Sequence, residues 1–149
     1  MEHWALFFHL LGGFLFVGGL TVAAVGFEAA RRRSETAEIA LLLGLTRWGV
    51  VLVGIGGVVV LAGGFWLAGE VHANGQAWLD AAIALFIVTV ALGIVGGQRP
   101  KRARKLAEKG GDIAEVRRLL DDPVGRAVNY AGAVLVLAIL VLMVWRPGS

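Results

Sequence analysis

The chain contains no cysteine, which excludes disulfides, thiolate nucleophiles and thiolate metal sites. Histidine is scarce as well, with three in 149 residues. Charged residues make up 17% against about 25% in an ordinary globular domain, and hydrophobic residues 58% against about 45–50%. No Asp, Glu, Lys or Arg interrupts Trp4–Phe27, Trp48–Gly69, Ala81–Gly97 or Ala127–Trp145, runs of 24, 22, 17 and 19 residues. A proton-coupled transporter ordinarily needs a carboxylate at membrane depth to carry the coupling proton, and these runs hold none. Nor does any pair of polar groups show the spacing of a hydrolytic acid–base site, so a non-enzymatic role is expected.

Charge-free runs of this length have one natural environment. About 20 mostly apolar residues in a helix cross the roughly 30 Å hydrocarbon layer, so each run reads as a span. The sequence therefore predicts one all-α integral membrane domain over 1–149: a four-helix transmembrane bundle with spans at about 4–27, 48–69, 79–98 and 127–145. Thirteen of the fourteen Lys and Arg residues fall in Glu28–Arg47 and Gln98–Arg126. Four crossings bring both stretches to one side, and Lys/Arg excess in short loops marks the cytoplasmic side. Connections 28–47 and 99–126 are thus expected in the cytoplasm, with both termini outside. The first run has only Glu2 and His3 before it and lacks a basic n-region, so it should persist as a helix rather than be cleaved.

Sorting the charges by side explains the net +3 without nucleic acid. The two connections carry thirteen basic and eight acidic residues, a net of +5, while the outer segments carry Arg146 against Glu2, Glu70 and Asp80. This asymmetry orients helices and favours a bilayer with an anionic inner leaflet as the partner. Trp4, Trp66, Trp78 and Trp145 fall at outer ends of the runs, as an aromatic belt requires, and Trp48 and Tyr130 mark the inner end. Ser34, followed by Glu35 and Glu38, reads as the N-cap of a helix that begins well before Trp48. The second connection divides at Gly110 and Gly111, with Lys101–Lys109 extending the third helix beyond Pro100. After the pair, Asp112 and Glu115 have capping-box spacing, and Ile113, Val116, Leu119 and Leu120 predict a short amphipathic helix on the inner membrane surface, stopped by Pro123.

Glycine is abundant, at 22 residues, and its spacing is regular. Gly12, Gly19 and Gly26 are seven apart, as are Gly49, Gly56 and Gly63. Seven residues return almost to the same helix face, so each helix carries a seam. In lipid, close backbone approach through small residues is how helices gain dispersion contacts, and these six residues are the candidate packing positions. Gly13, Gly57 and Gly64 widen the seams, Gly93 and Gly97 form a GxxxG pair, and Gly125 and Gly132 repeat the spacing on the last span. Either one seam serves a homo-oligomer or all pack within a single bundle.

Polar groups at membrane depth are few: His9, Thr21, Thr89 and Asn129. The threonine hydroxyls can bond back to their own helix carbonyls, and Asn129 can cap or bridge helices near the inner surface. His9 is the one titratable residue in the four runs, with Glu2 seven residues before it. His3, Glu70, His72 and Asp80 belong to the same membrane side, giving six nitrogen and oxygen donors for a divalent metal. Haem b would require a second histidine at His9's depth, from a neighbouring subunit or from His72. The absence of any cofactor is the leading expectation.

His9-Leu10-Leu11-Gly12, Phe16-Val17-Gly18-Gly19, the short basic connection, Gly64-Phe65-Trp66-Leu67-Ala68 and Leu142-Met143-Val144-Trp145-Arg146-Pro147 together resemble a bacterial family of predicted integral membrane proteins, domain of unknown function 2269. The likeness covers nearly the whole chain and implies a multi-pass protein of the bacterial inner (cell) membrane. The histidine before a glycine-rich first run is also similar to the membrane domain of CopD-type copper-resistance proteins. Residues and resemblance together lead to a membrane component that binds or transports a ligand or small solute; the alternative is a haem- or metal-dependent redox protein using His9.

Overall fold

The computed structural model describes residues 2–70 and 76–147, with Glu2 in its backbone only. All six elements among them are α-helices: α1 (Glu2–Arg31), α2 (Thr36–Glu70), α3 (Ala77–Gly96), α4 (Gln98–Glu108), α5 (Ile113–Leu120) and α6 (Pro123–Trp145). Four stretches are long and apolar enough to cross a membrane: α1, α2, α3 with α4, and α5 with α6. At 1.5 Å per residue, α1 and α2 are about 45 and 52 Å long, well beyond the roughly 30 Å hydrocarbon layer. Both therefore project past their apolar runs at the basic end of the molecule.

The projections build a small core there. Phe27, Ala30, Ile39, Leu43, Ala103, Ala107, Val116 and Leu120 form one buried cluster, to which α1, α2, α4 and α5 all contribute. The apolar face of α5 is thus turned into protein, where the sequence reading lays it on the membrane surface. The reason is that α1 and α2 extend far enough to offer it apolar partners. Polar ties hold the cluster in place: Arg31 pairs with Glu28 and with Asp121 at 3.1 Å, and Arg117 donates to the Arg33 carbonyl and the Ser34 hydroxyl. Ser34 consequently serves α5 instead of capping α2, which begins at Thr36 with Ile39 N–H bonded to the Glu35 carbonyl. Asp112 does cap α5, accepting from Ala114 N–H at 3.1 Å, but Glu115 makes no reciprocal bond, so the capping box is half formed. The third helix does continue past its apolar run. Pro100 has no N–H for the Gly96 carbonyl, and the chain steps from α3 into α4 through Gly97.

Helices α1 and α2 form an antiparallel hairpin with one fixed register. A Cβ built on Gly12 would stand 2.3 Å from Val60 N, on Gly56 2.4 Å from Phe16 N, on Gly19 2.7 Å from Val53 N, on Gly49 2.6 Å from Ala23 N, on Gly26 2.7 Å from Thr46 Oγ1, and on Gly63 2.6 Å from His9 N. The two helices thus supply glycine alternately along the contact. Gly64 faces the His9 ring and Gly57 faces Phe16 and Phe86, whereas a Cβ at Gly13 meets nothing within 4 Å, which removes Gly13 from the seam.

The other pair, α3 with α6, is looser. A Cβ on Gly96 would meet Val128 Cγ1 at 2.6 Å, but no residue of α6 is buried. At the end opposite the basic core, Trp78 and Ala68 are buried with Leu79 and Met143 against them. The Arg146 guanidinium lies 5.6 Å from the Trp78 ring, and its backbone ends α6 in the left-handed region at φ 42°. At membrane depth the two pairs meet at Phe16 and Phe86, whose ring centroids are 5.2 Å apart.

Candidate functional site

The donors singled out at the His9 end do not converge. His9 is half-buried against α2, and its Nδ1 lies 2.9 Å from the Val60 carbonyl. A carbonyl only accepts, so Nδ1 carries a proton and donates it. The ring lies over Gly64, where a side chain would crowd it. His3 and Asp80 are exposed, and Glu70 accepts from Trp66 Nε1 at 3.2 Å. His72 and the Glu2 side chain lie outside the described residues. Among the described residues no group of three or more His, Asp or Glu side chains is placed to hold a metal ion.

A different site opens between the two helix pairs. A partly enclosed cleft of about 450 Å³ runs from Phe27, Thr46, Pro100 and Gly125 at the basic boundary to Val17, Thr89 and Leu140 deeper in the membrane. Its size falls within the roughly 300–1,000 Å³ of small-molecule pockets. The cleft exists because side chains are missing: Gly93 and Gly132 line it, and a Cβ on either would meet nothing within 4 Å. Gly97 and Gly125 line it too, so the GxxxG pair of the third span and the seven-residue pair of the last one border open volume.

Four polar side chains line this otherwise apolar volume. Thr21 donates to the Val17 carbonyl at 2.9 Å and Thr89 to Leu85 at 2.8 Å, the back-bonding expected of them. Thr46 donates to Leu42 at 3.1 Å and approaches the Ala23 carbonyl at 3.5 Å, bridging α2 to α1. Thr46 and Thr89 are only 8% and 5% exposed. A hydroxyl that has donated its proton still accepts, so these three present acceptor oxygens. The Asn129 carboxamide has no hydrogen-bond partner among the described residues, leaving two donors and an acceptor for an occupant. Thr46 escaped notice in the sequence because it sits beside Arg47 in a charged stretch. The signal that would have found it is its place opposite Gly26.

At the cleft's basic end, Asp122 caps α6 by accepting from Gly125 N–H at 2.9 Å and pairs with Arg99. Desolvation pushes its carboxyl up, but the Gly125 amide, the Arg99 guanidinium and the Val124 amide outweigh this and hold it below the ordinary carboxylate value.

No curated protein and no solved structure matches the chain. One family model does, over residues 4–147, and on that match the chain belongs to the predicted integral membrane proteins of domain of unknown function 2269.

Proposed function

We propose that this protein is a non-enzymatic membrane component whose cleft between the α1–α2 and α3–α6 pairs binds a ligand dissolved in the bilayer. The observation that carries this reading is the cleft itself, with the unpartnered carboxamide of Asn129 in its wall. In lipid, helix pairs without a filler close on one another for dispersion contact, and glycine-bordered open volume calls for an occupant. The α1–α2 hairpin, with its glycine register, serves as the fixed wall, and α3–α6 as the wall that yields. By the charge rule the basic end faces the cytoplasm of a bacterial cell and the termini face outward. The polar inventory, three hydroxyl acceptors and one carboxamide, suits an amphipathic molecule with one polar end better than an ion. Among the described residues no arrangement around His9 favours haem or metal.

The test is a photoactivatable, clickable fatty acid fed to cells producing the full chain. Crosslinked peptides should concentrate on the cleft-lining segments 89–97 and 125–140. Gly93→Leu with Gly132→Leu, whose Cβ atoms would meet nothing within 4 Å, should abolish that concentration. Labelling spread evenly over every lipid-facing helix surface, unchanged in the filled variant, would overturn the proposal.

A further inference from the structure

We infer that the occupant is an anionic glycerophospholipid of the leaflet on the basic side, with an acyl chain in the cleft, an ester carbonyl at Asn129 and its phosphate at Arg126 and Arg47. This rests on the reading of the cleft as a ligand site and names the ligand's class.

Depth is the first argument. Along α1 the lining runs from Val17 to Phe27, about 15 Å at 1.5 Å per residue, and along α6 from Gly125 to Leu140, about 22 Å. Half of the hydrocarbon layer is roughly 15 Å. Along α1 the cleft therefore spans one leaflet from the basic boundary to around the midplane, and along α6 it continues about 7 Å further, a depth that takes in a whole acyl chain.

Charge is the second. Among the described residues, Arg47 and Arg126 make no ion pair, and they adjoin the lining residues Thr46 and Gly125. The acids nearest Arg126 are already engaged, Asp121 with Arg31 and Asp122 with Arg99. At about 100° per residue, Arg126 falls within the arc of α6 that the lining residues Gly125, Asn129, Ala133 and Leu137 occupy. Long basic side chains at such a boundary reach the headgroup layer while their stems stay apolar. Order along the helix is the third. Asn129 lies three residues past Arg126 on the same face, about 4.5 Å deeper. A glycerophospholipid presents its groups in that sequence: phosphate at the surface, ester carbonyl below, hydrocarbon beneath. Arg126 meets the phosphate, the Asn129 amide donates to the carbonyl, and the glycine-bordered volume receives the chain.

The experiment reconstitutes the full chain in vesicles of equal phosphatidylglycerol and phosphatidylcholine, extracts it gently, and measures retained lipid by native mass spectrometry. Wild type should retain one lipid per chain, enriched in phosphatidylglycerol by about tenfold to thirtyfold, the factor two basic residues near an anionic surface supply. R47Q/R126Q should keep a lipid but lose the preference, and Asn129→Leu should retain less of both lipids. Retention without headgroup preference, unchanged in R47Q/R126Q, would overturn the anionic assignment while the cleft reading stands. Retention unaffected by Gly93→Leu/Gly132→Leu would overturn both. A lipid-free dimer that the filled variant turns into monomer would overturn both in favour of a second copy as occupant.

Discussion

Substituting alanine at Gly56 tests the α1–α2 register at its tightest long-range contact on α2. The added Cβ would stand 2.4 Å from Phe16 N and 2.8 Å from both Gly12 O and Leu15 C, all of them backbone atoms of α1. Carbon contacts are optimal near 3.5–4.0 Å, so α1 must withdraw by about 1 Å or more. A gap of that size forfeits roughly a quarter to a half of each dispersion well along the interface. Overpacking of this kind costs about 1–3 kcal/mol, and replacing glycine in a helix interior returns up to about 1 kcal/mol. The expected net loss is about 1–2 kcal/mol for Gly56→Ala, and more for Gly56→Leu. Gly54→Ala is the internal control: the same helix, two residues away, with nothing within 4 Å of the new methyl. It should be neutral or slightly stabilising. The assay is equilibrium unfolding in detergent, followed by circular dichroism and tryptophan fluorescence. Equal stability of Gly56→Ala and Gly54→Ala would refute the argument that backbone contact at the glycines sets the hairpin.

Four further outcomes are expected. Single cysteines at Ser34 and Arg118, both exposed, should resist an impermeant thiol reagent in intact cells while one at Asn74 labels; the reverse pattern would invert the topology. Leu120→Ala, in the buried cluster at the basic end, should lose about 2–5 kcal/mol in chemical unfolding, whereas a helix lying on lipid would lose far less. Asp122→Ala should lower stability through the lost cap, with Asp122→Asn retaining most of the wild-type value in chemical unfolding. Because the folded state depresses the Asp122 carboxyl, its contribution is present above the ordinary carboxylate range and fades as pH falls through the lowered value, so the acid limb of a stability–pH curve should flatten in Asp122→Asn. His9→Ala should lower stability by about 1 kcal/mol for the hydrogen bond to Val60 and leave elemental analysis unchanged; stoichiometric metal in wild type that vanishes in the variant would restore the metal reading.

Four helical stretches able to cross a membrane were legible because a single physical requirement, an uninterrupted apolar run, marks them, and residues 4–27, 48–69, 81–97 and 127–145 all lie within helices apart from Gly97, the step between α3 and α4. The terminal extensions were legible only in part. Ser34 looked like a cap because serine before two acids is a cap signature, but tertiary contact with Arg117 moved the helix start to Thr36. The amphipathic period of α5 was readable, but not what its apolar face would meet, since that depends on how far α1 and α2 protrude. The site was the least legible. A cleft bounded by five helices has no local signature: Gly93, Gly132 and Asn129 are scattered over about 40 residues, and each alone looks like ordinary packing. His9 drew attention because an ionisable residue in an apolar run is rare. Its Nδ1–H donates to a carbonyl that only the folded hairpin brings within reach.

The same residue type thus performs opposite tasks in the two halves of the molecule. On α1 and α2, Gly12, Gly19, Gly49, Gly56 and Gly63 stand opposite the main chain of the other helix, so the contact is close and its register has little freedom to slide. On α3 and α6, glycines at 93 and 132 stand opposite nothing, and the volume they vacate stays open. A hollow of this kind persists only if its walls are held apart. Here Phe16 against Phe86 holds them at membrane depth, and the buried cluster at the basic end holds them where α4 and α5 clasp α1 and α2. On the proposed reading the basic-end core bears on the cleft, because Phe27 belongs to both the buried cluster and the lining. If that core sets the spacing of the cleft walls, loosening it at Leu120 should change lipid retention as well as stability.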